Sequence, residues 1–148
     1  MKVVGTTDLK KAHGTKSAED YLHYLAGLPN VALAELKEVR IAALNEACNE
    51  YILAGFTSNA LGEPHVYDFD EEGQSNLAQK ATMLVLKPEI ETVQWKTNKG
   101  IKEHTRDQFI QVLTDGEQHK EGAIFQYWTL VDKVNKTTSK NVVLETTF

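Results

Sequence analysis

The sequence predicts an α+β fold: three main helices packed on a small antiparallel sheet made of two β-hairpins, with a short N-terminal helical arm. Three observations carry this reading. Apolar residues recur at helical spacing in three long segments. Between those segments lie short, partly alternating runs broken by glycine, proline and asparagine turns. Most helical segments also begin at a residue able to cap a helix. The chain has 148 residues, 41% hydrophobic and 25% charged, enough to bury a core without metal or disulfide staples. Neither a disordered nor a membrane composition is present.

The first 16 residues hold Val3, Val4, two glycines and polar residues in no sustained period, and read as an arm. Ser17 then sits at an N-cap position with Glu19 and Asp20 in the first turn, so a short helix is predicted over 18–26, ended by Gly27 and Pro29. Residues 1–30 are taken as the arm, 31–136 as the α+β domain and 137–148 as a tail. Asn30 can cap a helix over 31–54, with Gly55 placed to end it in the left-handed conformation. Ile41, Leu44, Cys48 and Tyr51, with Ala47 beside them, form its apolar stripe. In its N-terminal half, Lys37 and Arg40 interrupt the stripe begun by Leu33 and Leu36. That half is expected to project or to meet a partly polar partner.

Runs at 56–61 and 65–69 flank Gly62-Glu63-Pro64 as strands flank a turn. Asp70 can cap a third helix, 70–86, with Glu71 and Glu72 in its first turn and Leu77, Ala81 and Leu84 facing inward, before Pro88. Val93 and Trp95 alternate with Gln94 and Lys96, and Asn98-Lys99-Gly100 reads as a three-residue turn into a second hairpin. Thr105 and Gln108 fit a capping box opening the segment 105–135. Gly116 and Gly122 weaken that segment, leaving one long kinked helix and two consecutive helices both open. The tail contains Val142-Val143-Leu144, β-prone residues that read as a frayed end or edge strand.

Charge and motif content exclude several function classes. A net charge of −5 disfavours nonspecific nucleic-acid binding, which needs a basic face. The local exception is Lys96, Lys99, Lys102, His104 and Arg106 beside Trp95, which frames an alternative: a small regulator binding nucleic acid or an acidic partner through the 96–106 hairpin. Histidines at 13, 23, 65, 104 and 119 form no two-ligand unit on one element. A His-dependent enzyme using His65, His104 or His119 is the other alternative. The acidic run Asp68, Asp70, Glu71 and Glu72 lacks the spacing of a calcium loop. Cys48, the one cysteine, falls on the core stripe. No nucleophile elbow, phosphate loop or dinucleotide fingerprint is present. No catalytic, cofactor-binding or metal residues are therefore assigned. The candidate partner-binding residues are Leu33, Leu36, Lys37, Arg40, Tyr127 and Trp128, with one of the last two expected to face outward. No apolar stretch reaches the length of a membrane span, and the first 13 residues lack the order of a secretory signal.

The segment 44–58, beginning Leu44-Asn45-Glu46-Ala47-Cys48, continues through 61–68 to Gln74-Ser75-Asn76-Leu77. With Trp95, Gly100, His104-Thr105, Gln108-Phe109, Val112 and His119-Lys120 following in order, it resembles an uncharacterised domain family of bacteriophage and prophage tail proteins, over about residues 37–136. The resemblance implies a non-enzymatic structural or assembly protein of the tail, baseplate or tail-fibre region. Its partners would be other tail proteins or itself as a homo-oligomer, in the host cytoplasm during assembly and in the virion tail. The resemblance transfers no functional residues.

Overall fold

The computed structural model describes residues 18–28 and 31–148; the arm reading for 1–17 lies outside them. The described residues form α1 (Ala18–Ala26), α2 (Leu33–Leu53), β1 (Phe56–Ser58), β2 (His65–Tyr67), α3 (Glu71–Leu86), β3 (Thr92–Thr97), β4 (Gly100–Thr105), α4 (Arg106–Lys136) and α5 (Lys140–Glu145). The fold is α+β. The hairpins do not merge into one sheet: β1–β2 and β3–β4 are separate two-stranded antiparallel sheets. Asn98 joins them, its side-chain oxygen accepting from the Val66 N–H at 2.8 Å and its own N–H donating to the Val66 carbonyl at 3.0 Å. The turn is also tighter than its residues suggest, because Thr97 pairs directly with Gly100. The Thr97 hydroxyl donates to the Gly100 carbonyl and accepts from the Lys99 N–H.

Two compact units divide the chain, one comprising Met1–Asn49 with Ile124–Phe148, the other Glu50–Ala123. Within the first, Ala18, Leu22 and Leu25 of α1 bury against Leu36, Val39, Ala43 and Leu44 of α2, with Val134 of α4 and Val143 of α5. Each leucine or valine among them contributes roughly 1.5–3 kcal/mol when fully buried. Helix α1 is thus part of a core and not a detachable arm. The tail is also core: Ser139 caps α5 by accepting from the Val142 N–H, and Val143 is fully buried. Burial of that one side chain outweighs the β-propensity of its neighbours.

Arg40 is held inside this unit. It is 1% exposed. Its Nε donates to the Val143 carbonyl at 2.9 Å, Nη2 to the Leu144 carbonyl, and Nη1 to Glu19 Oε2 at 2.6 Å. The residue that interrupts the apolar stripe of α2 is satisfied by the chain's own α1 and α5. At the other end of the stripe Tyr51 is exposed and Ile52 is buried in its place.

In the second unit Phe56, Tyr67, Phe69, Leu77, Leu84, Val93, Phe109 and Val112 are buried. Local signals set the boundaries here. Asp70 Oδ1 accepts from the Gly73 N–H at 2.7 Å. Thr105 and Gln108 cap each other reciprocally, at 2.9 and 3.1 Å. Gly55 adopts φ +102°, and a Cβ there would lie 2.8 Å from the Tyr67 carbonyl oxygen, so glycine is required twice over. Helix α4 is one continuous helix of 31 residues. No helix among the described residues is long and apolar enough to cross a membrane.

Candidate functional site

The second unit carries an open groove of ≈ 930 Å³ where the end of α2 and hairpin β1–β2 meet α4. Tyr51, Gly55, Thr57, Asn59 and Val66 line one side and Gln111, Asp115, Gln118 and His119 the other. Residues 111, 115 and 118 recur at helical spacing, so they share one face of α4. Gly116 lets that helix approach the hairpin: a Cβ there would sit 3.0 Å from the Phe56 ring.

The groove's polar groups hold one another in place. The Ser58 hydroxyl donates to Asp115 Oδ2 at 2.6 Å, and Gln111 donates to Asp115 Oδ1 at 2.8 Å. His119 Nε2 donates to the carbonyls of Tyr51 and Ile52, at 3.1 and 3.3 Å, which places the ring proton on that nitrogen. The imidazole also stacks on Tyr51, ring centres 4.6 Å apart. Serine, aspartate and histidine are neighbours here, yet the serine proton is directed at the carboxylate and not at the imidazole. Nucleophile activation needs the opposite order, with a base between hydroxyl and acid. The contact anchors β1 to α4.

Beneath the groove floor, the Tyr67 hydroxyl donates to His104 Nε2 at 2.8 Å, while His104 Nδ1 donates to the Lys102 carbonyl at 3.0 Å. Both side chains are fully buried. Burial, and after it the Asp115 charge, push the Tyr67 phenol above its ordinary value. Burial likewise pushes the Cys48 thiol up, the opposite of what a nucleophilic or metal-binding cysteine requires.

The structure places the sequence-predicted residues as follows. Leu36 and Arg40 are buried in the first unit, and Leu33 and Tyr127 pack against its core. Lys37 donates to the Asn135 carbonyl at 3.0 Å. These residues face the chain itself; Trp128 is 59% exposed and carries its ring 5.5 Å from that of Phe125, 50% exposed. Of the basic hairpin, Lys96 pairs with Asp68 at 3.2 Å and Lys99 with Glu63 at 3.6 Å. Arg106 donates to the carbonyls of Leu84 and Ile90, and His104 is internal, so the segment presents no unbroken basic face. His65 lies in the second unit too, its Nδ1 donating to the Glu63 carbonyl at 3.1 Å. Among the described residues no group of three or more His, Cys, Asp or Glu side chains is arranged to hold a metal.

No sequence motif marks the groove residues Thr57, Asn59, Gln111, Asp115 and Gln118, and Tyr51 reads in the sequence as part of an apolar helix stripe. The one available signal was the 111/115/118 spacing on a helix already predicted, which reads equally well as a solvated face.

The second unit sets a floor of buried aromatic residues under a polar groove, in a helix-rich α+β fold. Residues 35–146 match the family described as a domain of unknown function (DUF4376), and the chain belongs to that family. No curated protein and no solved structure matches it.

Proposed function

We propose that the protein is a non-enzymatic structural or assembly component of a bacteriophage or prophage tail, baseplate or tail-fibre region, acting by protein–protein interaction. The phage setting comes from the resemblance of residues 37–136; the mode of action is supported by the first unit. There Phe125 and Trp128 stand side by side and half exposed on α4. Large aromatic side chains are favoured interface anchors because they bury much area at little entropic cost. Asp115, His104 and His119 of the second unit, by contrast, are engaged in hydrogen bonds within its fold. The partner is another copy of the chain or another tail protein, and the work is done in the host cytoplasm during assembly and in the virion tail.

The test is solution mass by light scattering, with native mass spectrometry of the same sample. A metal-free, defined oligomer is expected, falling to a smaller species in the Phe125→Ser, Trp128→Ser double variant with helical content unchanged. A monomer carrying stoichiometric metal would sink the reading and bring forward the His-dependent enzyme.

A further inference from the structure

We propose that the groove between β1 and α4 binds an extended, basic peptide segment, which adds to the outer edge of β1 as a third strand. The proposal concerns the second unit alone and rests neither on the phage setting nor on the Phe125–Trp128 pair.

Both backbone groups of Val66 bond to Asn98, so both point away from β1. In an antiparallel ladder, opposed residues either exchange both hydrogen bonds or direct both outward, in alternation. Thr57 is the residue opposed to Val66. Its N–H and C=O therefore point outward from the other edge, and Thr57 itself lines the groove. An unpaired strand edge of this kind is the template that strand addition uses.

What surrounds that edge selects the occupant. Asn59, Gln111 and Gln118 line the groove, and side-chain amides offer both donors and acceptors to the peptide groups on either side of the Thr57 pair. Among the described residues Asp115 is the one carboxylate lining the groove, and no lysine or arginine lines it. Its two oxygens each accept one bond already but keep lone pairs for a further donor. A lysine or arginine alternating with apolar residues would meet Asp115 while its neighbours point to the opposite face.

The experiment uses the full chain, isotopically labelled, with two capped synthetic peptides, one of alternating valine and lysine, the other of valine and glutamate. Affinity is read by fluorescence anisotropy and backbone protection by amide exchange. The lysine peptide is expected to bind about tenfold more tightly than the glutamate peptide, and the Thr57 amide to gain protection. Asp115→Asn, which still accepts from Ser58, should remove most of that preference. Thr57→Pro deletes the outward N–H without touching the Phe56 and Ser58 bonds to β2, and should abolish binding. Equal affinity for the two peptides, binding that leaves the Thr57 amide unprotected, or no binding at millimolar peptide would each overturn the proposal. The exchange measurement is made on the natural chain, so a variant that fails to fold does not rescue it.

Discussion

Arg40 donates to Glu19 across 2.6 Å, and the same guanidinium holds the carbonyls of Val143 and Leu144, so one buried cation ties α1 and α5 to α2. Removing one partner of a buried pair strands the rest. Arg40→Ala should lower stability by ~3–5 kcal/mol, read as a shift in urea midpoint with unchanged slope. Glu19 is 43% exposed, and Glu19→Ala should cost only ~1 kcal/mol or less. Equal losses would mean that the ion pair, and not the two carbonyls, carries the effect. Arg40→Lys should recover little, because a single ammonium cannot reproduce the planar fork. For the same reason, deleting residues 1–30 should destabilise the domain, since it strips Ala18, Leu22 and Leu25 from the core.

Tyr67→Phe should cost ~1–3 kcal/mol, leaving buried His104 Nε2 without its donor. The pH dependence gives a second reading. Burial and Asp115 raise the Tyr67 phenol, so the folded state holds that proton more tightly than the unfolded chain does. Its contribution is full below about pH 10, the ordinary phenol value, and is lost as pH rises through the raised folded value. Thermal midpoints measured from about pH 8 to 11 should therefore fall less steeply in Tyr67→Phe than in the natural chain. Part of the slope should persist, because Tyr21, Tyr127 and Cys48 are raised as well. Parallel curves would mean that Tyr67 titrates normally.

What the sequence disclosed and what it hid follow from the range of the forces involved. The Thr105–Gln108 box, the Asp70 cap and the Gly55 helix end are satisfied within a few residues, so their spacing alone reveals them. Arg40 is satisfied by carbonyls more than a hundred residues away, and nothing local marks a buried arginine. Val143 was hidden for a related reason: β-branched residues favour a strand until a tertiary pocket rewards one of them for sitting on a helix. His104 looked like part of a basic patch because its charge type was read without its register. It stands opposite Val93 on the inner face of β3–β4. The groove draws on residues near 51–60, 66 and 111–119, and no one-dimensional pattern links such segments.

Two glycines of α4 should respond in opposite directions to the same change. At Gly116 a Cβ would meet Phe56 ring atoms at 3.0 Å and Phe69 at 3.4 Å. Both rings are themselves packed, in edge contact at 5.1 Å. Overpacking of this kind costs ~1–3 kcal/mol, which exceeds the ~1 kcal/mol gained from replacing a helical glycine. Gly122 has nothing within 4 Å of such a Cβ, so Gly122→Ala should stabilise by up to ~1 kcal/mol. Differential scanning calorimetry of the pair decides it. Two stabilising substitutions would show that Phe56 can give way.

Helix α5 spans six residues, far below the ~12–15 at which an isolated helix becomes even marginal in water. Its cap is weak, the Ser139 hydroxyl lying 3.4 Å from the Val142 N–H. The Thr146 hydroxyl bonds back to the Val142 carbonyl at 2.6 Å. Docking, then, and not intrinsic helicity, must hold the segment, and the anchors are Val143 and the carbonyls that Arg40 binds. Val143→Ala should cost ~2 kcal/mol by leaving a cavity in the cluster, and Ser139→Ala no more than ~1 kcal/mol. A segment stabilised locally would show the reverse order. Because Arg40 and Val143 hold the same segment, their alanine substitutions should not add: once Arg40→Ala has released α5, Val143 has less left to lose. A double variant whose loss equals the sum of the two single losses would mean that α5 stays docked without the guanidinium.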